Sequence, residues 1–348
     1  MRIMVQTRSS RYWDKRAIAR LTEAERNSDW HFREIKLLYE EAEKDTVASL
    51  KAIYESFYRE NKFDMAALEK IVPTAEVEKF YADMEAAGLS KYLPQRFTGR
   101  VKRLEMINAQ LWSRTKQLAI LENEIQTKSH IETINGAFGK TIYDTAKGIG
   151  ATPAFEQLNS RGIEVMLNTP WQGANYSKRI WKNSNVLATQ LQQTLTKAIM
   201  TGMSEERALY EIRQRFNVGS FYAERLIRTE TNHFENETEF IAYQEMGIDR
   251  YVFVATLDGR TSDMCRSHDG QIYKMSERQE GYNYPPLHPF CRSTVRGYIS
   301  KEYEPKMRAA RNKLGGKYFV PNMSYNEWIK NVQYNPNVYP ADVPVIMP

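Results

Sequence analysis

Both cysteines of the chain and two of its five histidines fall in one short stretch, as Cys265-x2-His268, a gap of nineteen residues, and His288-x2-Cys291. A two-residue spacing lets two side chains of a tight turn reach the same ion. Two such knuckles brought together supply the four nitrogen and sulfur donors of a tetrahedral structural Zn²⁺. Two thiolates and two neutral imidazoles would leave the loaded site formally neutral, which lowers the cost of burying it. The same residues also admit a Cys265–Cys291 disulfide, or two unrelated buried thiols beside core histidines. A disulfide would leave the matched histidines without a role.

The flanking residues supply the scaffold these side chains need. Tyr251 to Leu257 is an apolar, strand-like run closed by the Asp258-Gly259 turn signal, and Asp269-Gly270 opens a second turn before Gln271-Ile272-Tyr273. After Cys291 the alternation of Arg292, Thr294 and Arg296 with Ser293, Val295 and Gly297 predicts a half-buried strand. The four ligands are thus expected on turns joining three short strands. Between them, residues 276–286 hold too few apolar side chains to press one knuckle against the other.

Leu257-Asp-Gly-Arg-Thr-Ser-Asp-Met-Cys265, then Asp269-Gly270, then Pro285-Pro-Leu-His-Pro-Phe-Cys-Arg292 resemble the C-terminal domain of the phage Mu F-like minor head proteins, also called phage head morphogenesis proteins. His268 stands where many members carry a second cysteine, and Ser293 where a further cysteine is common. Trp171-x-Gly173, Ser177-x-Arg179-Ile-Trp181, Gly202-x-Ser204 and Arg228-Thr-Glu230 are also similar to the family, as is the opening Tyr12-Trp13, so the main likeness runs over roughly residues 160 to 300. It implies a structural component of the phage head. Such proteins act in procapsid assembly and associate with portal, scaffold or capsid proteins, and some leave with the DNA. The resemblance therefore implies a location in the host cytoplasm during assembly and in the procapsid and virion afterwards.

At 348 residues the chain is long enough for two or three domains, and 42% hydrophobic with 26% charged residues is an ordinary globular composition. The net charge of +6 and pI near 9.0 are compatible with nucleic acid as a partner, although 49 basic against 43 acidic residues is too even a balance to require it. No apolar run approaches the roughly 20 residues of a membrane-spanning helix, and the first residues have no signal-peptide core, so a reducing cytoplasm and no membrane partner are expected.

Apolar positions at three- and four-residue steps, from Phe32 through Ile35, Tyr39, Leu50 and Phe57, predict a helix over 11–61. A shorter one over 74–87 ends at Gly88, and a third begins after Thr98 and runs to about Thr133. Its Leu104, Leu111, Leu118 and Ile125 form a heptad-like seam. Gly136, Gly139, Gly148 and Gly150 predict a hinge. Further helices are expected up to Gly202, over 205–216 behind a Ser204 cap, and from Ser220 to Met246. The last carries Arg228, Asn232, Asn236 and Glu239 as a polar stripe, best read as a network docking helix on sheet.

The expected fold is α+β, with a mostly helical N-terminal part and a C-terminal helix-plus-small-antiparallel-sheet domain. Three regions follow: a helical association arm at 1–140, separable from the rest; the Mu F-like domain at 150–300; and a basic segment, short helix and Pro-rich tail at 301–348. In the last region, Arg308, Arg311, Lys313 and Lys317 interleave with aromatic residues in a pattern suited to weak DNA binding, so a zinc-supported DNA-binding protein is the alternative function. An enzyme reading rests on Glu235-x-Glu237-x-Glu239, similar to the paired glutamates of ADP-ribosyltransferases, or on His268 beside Asp269 as in a metal nuclease. Alternate acids on a helix point in different directions, and no phosphate loop or nucleophile elbow accompanies them. The expectation is a non-enzyme.

Overall fold

The computed structural model describes residues 11–92, 100–149, 158–298, 307–311, 317–321, and 323, 325, 327, 328 and 330. In chain order these form α1 (Arg11–Phe57), β1 (Tyr58–Arg59), β2 (Lys62–Phe63), α2 (Met65–Leu68), α3 (Thr74–Ala86) and α4 (Arg103–Ile149). There follow α5 (Ser160–Asn168), α6 (Tyr176–Thr201), α7 (Glu205–Glu245), β3 (Arg250–Val254), α8 (Asp263–His268), β4 (Ile272–Lys274), β5 (Thr294–Gly297), β6 (Met307–Arg311) and β7 (Lys317–Pro321). The architecture is mostly helical with small antiparallel sheets near the C-terminus, as expected.

Helix boundaries follow local chemistry where a cap is present. Asn175 accepts a hydrogen bond from the Lys178 amide to start α6, which stops at Gly202 in the left-handed conformation, φ 61°. Two expected breaks do not occur. Helix α4 runs through Gly136, Gly139 and Gly148 to Ile149, so the expected hinge is instead continuous helix. Ile134, Ala137, Phe138, Ile142 and Ala146 are all buried along this stretch, and their packing outweighs the helix cost of the glycines, about 1 kcal/mol each. Gly148 is there for proximity, because a β-carbon at that position would overlap the Trp13 indole. Likewise α7 is a single 41-residue helix where two were expected. At Gly219 a β-carbon would come within 2.9 Å of the Tyr39 ring, so this glycine also serves a close approach and does not end a helix.

The chain divides into two compact units, each assembled from non-consecutive segments: residues 1–29, 128–172 and 227–348 in one, 30–127 and 173–226 in the other. The boundaries fall within α1, α4 and α7, each of which contributes residues to both units. The second unit is helical; Leu111 and Leu118 of the heptad-like seam are buried, and Tyr39 donates a 2.9 Å hydrogen bond to buried Glu122.

In the first unit, the three-stranded sheet has the order β4-β3-β5, with Tyr251 opposite both Tyr273 and Gly297. One side of this sheet receives α7. Tyr243 of the helix packs with Tyr251, Met275, Tyr284 and Val295. The polar stripe of α7 docks the same elements: Asn232 donates to the Ser293 carbonyl at 3.0 Å, and Thr294 donates to Asn236 Oδ1 at 3.1 Å and to Glu239 at 3.3 Å. Arg228 pairs with Asp29. Arg20 of α1 completes the network from 219 residues away, donating to Glu239 at 2.6 Å, Asp144 at 2.8 Å and the Tyr243 hydroxyl at 3.1 Å.

Near the C-terminus, β6 and β7 form a hairpin, and the positions 325, 327, 328 and 330 are helical, where a short helix was expected. Tyr325 and Trp328 bury themselves with Leu257 and Val320. The Pro-rich tail lies outside the described residues.

Candidate metal centre

Cys265 lies in the first turn of α8, a helix started by Ser262, whose hydroxyl accepts the Cys265 amide at 3.2 Å. Cys291 and His288 lie on the loop entering β5. Two interactions tie these segments together without the thiols. Arg292 grips both carboxylate oxygens of Asp258, and Thr256 donates to the Arg292 carbonyl at 2.6 Å. Phe290 sits at φ 59°, and its amide is held by Thr229 of α7 at 3.1 Å. The Arg-Thr-Glu segment is therefore a brace: Thr229 fixes the second knuckle, while Glu230 accepts from the Trp171 indole at 2.7 Å.

This scaffold brings Cys265, His288 and Cys291 together, with ligand atoms all within 4.8 Å of one another. The two sulfurs are 3.7 Å apart, and Cys265 Sγ is 3.3 Å from His288 Nε2. With a disulfide S–S bond of about 2.0 Å, these are two free thiols. A tetrahedral ion with Zn–S bonds of about 2.3 Å needs an S···S edge of roughly 3.8 Å, so the spacing fits a metal. The histidine is oriented for it as well. Its Nδ1 donates to the Pro289 carbonyl at 2.8 Å, which directs Nε2 at Cys265 Sγ and at the Ser262 hydroxyl, 2.9 Å away.

The electrostatics agree with a thiolate-binding geometry. The Cys291 thiol donates to Cys265 and lowers the Cys265 pKa, with further help from His288, Ser262 and Ser293, while Cys291 itself is pushed up as it keeps the proton. The hydrogen bond with Cys265 raises His288. One proton is thus shared between two buried sulfurs, a form that a cation would displace.

His268, the fourth ligand expected from the sequence, lies outside this cluster. It ends α8, and its Nδ1 is 2.6 Å from the Tyr273 hydroxyl of β4, with its ring packed beside Phe253 and Tyr282. Tyr273 engages the Nδ1 of His268, which is not part of the three-residue cluster. Sequence spacing alone had paired it with Cys265. Among the described residues no other group of three His, Cys, Asp or Glu side chains is close enough to hold an ion.

Two of the three acids of the enzyme reading are engaged by separate partners, Glu239 by Arg20 and Thr294 and Glu237 by Arg278, while Glu235 is buried near Arg20 and Glu239 without a hydrogen bond to its Oε1. Of the basic residues considered for DNA, Arg308 and Arg311 lie on β6 and Lys317 on β7, with Arg311 and Lys317 opposite each other in the hairpin register. Lys313 falls outside the described residues.

Fold and site together define a mostly helical protein whose long α7 helix docks on a small sheet carrying a Cys-His-Cys cluster that could hold a metal ion. Residues 189–296, from within α6 to the penultimate residue of β5, match the family model described as phage Mu protein F like protein. The matched stretch contains both cysteines, His288 and the Arg-Thr-Glu brace. No curated protein and no solved structure matches the chain. Among the described residues no helix is long and apolar enough to cross a membrane.

Proposed function

We propose that this protein is a minor head protein of a phage, acting in head morphogenesis in contact with the portal, scaffold or capsid proteins of the procapsid. The observation that carries the reading is the family match over 189–296, which covers the helix, the sheet and the Cys/His cluster as one docked substructure. The role is architectural and not enzymatic. Glu237, Glu239 and Asp258 are held in ion pairs, and His268 in a hydrogen bond, that join one element to another. Binding to packaged DNA through the β6–β7 hairpin is a second, subordinate part of the proposal, resting on the Arg311–Lys317 pairing.

The metal proposed for the site is one structural Zn²⁺, held by Cys265, His288 and Cys291. Zinc suits two thiolates and an imidazole better than the oxygen-seeking cations do. Its contribution would be to clamp α8 to the loop entering β5, with the fourth coordination position left to water or a further donor. Co-sedimentation of the tagged full-length chain with proheads tests the functional reading. Recovery in the prohead fraction, lost when the family-matched domain is unfolded by replacing Arg20, is the expected result; a chain that stays free of proheads at every stage of assembly would refute it.

A further inference from the structure

One acid of α7 is left unsatisfied by everything the structure describes around it. Glu235 is 3% exposed, and its Oε1 has no hydrogen-bond partner among the described residues. It lines a cleft of about 360 Å³ between α1, α4 and α7, together with Arg20, Asn27, Gly136, Ala137 and Lys140. A buried carboxyl oxygen without a partner forfeits roughly 1–3 kcal/mol, so a cavity that retains one is a site prepared for a donor.

The charges nearby say which kind of donor. Arg20 is committed to Glu239 and Asp144, and Arg16 reaches the same Asp144 at 3.4 Å. These two guanidiniums therefore answer two carboxylates before Glu235 is counted. At the mouth of the cleft Lys140 is paired with Glu23. Arg26 and Glu132, which also line the cleft, offset one another, so with Glu235 ionised the set is one positive charge short. Burial, and then the nearby charge of Glu239, push the Glu235 carboxyl up to about 8, against the opposing pull of Arg20 and Lys140 and with a further push from Glu23. An arriving cation would reverse that balance. A divalent metal wants six or more oxygens, far more than one spare carboxylate supplies. A single ammonium needs only this one counter-charge, and the Ala24, Gly136 and Ala137 wall leaves apolar room for its methylenes.

We propose that the cleft binds an alkylammonium group, presented by a small free amine or by a lysine side chain of a partner protein, with the Glu235 carboxylate as its counter-charge. The inference does not depend on the metal or on the head-assembly reading.

The test is calorimetric titration of the intact chain with n-butylammonium chloride, with 1-butanol as the uncharged match, and with a capped lysine tripeptide beside its Nε-acetylated form. Binding of the amine, the lysine peptide or both, but of neither neutral counterpart, is expected, strengthening from mildly acid to mildly alkaline pH while the amine remains protonated. Uptake of the peptide alone would identify a protein partner, and uptake of the free amine a small-molecule ligand. Glu235→Gln should weaken binding roughly ten- to hundredfold. Gly136→Leu offers a second variant should that one fold poorly: Gly136 lines the cleft and a β-carbon there meets only the tip of Lys140, at 3.7 Å, so a larger side chain is expected to narrow the cleft. The proposal is overturned if no charged probe binds, if 1-butanol binds equally well, or if both folded variants bind as the parent does.

Discussion

Cys265 of α8 and Cys291 of the loop entering β5 hold their sulfurs 3.7 Å apart, a distance that a disulfide cannot span and that a shared ion matches. These segments are already tied by the Asp258–Arg292 pair, which lies beside the thiols and not between them. The ion would thus add a second clamp to a preformed site.

Protein purified without chelator should contain one zinc per chain by elemental analysis. Cys291→Ser and His288→Ala should each lose it, whereas His268→Gln should retain it, because His268 is engaged by Tyr273. Ser293→Cys, placed beside Cys265, should bind the metal more tightly. Affinity should fall as the solution is acidified, since protons compete for the thiolates. A folded, metal-free protein with both thiols freely titratable would exclude the centre.

Arg20→Ala should destabilise the first unit by about 3–5 kcal/mol, because it leaves the Asp144 and Glu239 carboxylates buried without their main partner. For the same reason a fragment lacking residues 1–140 is expected to lose cooperative unfolding. The sequence alone suggested the opposite, a separable arm. Thermal melts of the two proteins decide it, and a sharp transition in the fragment near that of the intact chain would count against the network.

The Asp258–Arg292 pair predicts a pH dependence with a definite sign. Burial pushes the Asp258 carboxyl up, but hydrogen bonds and charge from Arg292 outweigh it and hold the folded-state value below the ordinary one. A depressed carboxylate contributes fully above its unfolded pKa, about 4, and the contribution drains away as pH falls through the lower folded value. Melting temperature should therefore fall on acidification more steeply in the parent than in Asp258→Asn. Parallel profiles for the two below pH of about 5 would show that the pair carries no such linkage.

Two glycines of α4 should respond oppositely to the same change. Gly139 has open space around it, so Gly139→Ala should stabilise the helix by about 0.5–1 kcal/mol. Gly148→Ala would drive a methyl group into Trp13 and should cost about 1–3 kcal/mol. Denaturant midpoints measured on both variants check the pair; equal shifts would mean that Trp13 does not pack there.

The parts legible in the sequence were those determined by neighbours along the chain. Ser204 starts a helix because its hydroxyl can accept an amide three residues on, and Tyr251 to Val254 form a strand because their apolar character suits a buried sheet. The two cysteines and His288 could be picked out by spacing and chemistry, and the stripe from Asn232 to Glu239 by its helical period. Tertiary structure decided which candidate reached the site. His268 has the same spacing and donor atoms as the others, but its Nδ1 meets Tyr273 of β4 and it lies outside the three-residue cluster, an arrangement no local pattern encodes. Gly136 and Gly148 read as a hinge until buried side chains on either side made continuous helix the lower free-energy choice. Arg20 carries no local signal at all. Its meaning depends on two carboxylates 124 and 219 residues away, and only the folded chain, by taking all three out of water together, makes their pairing obligatory.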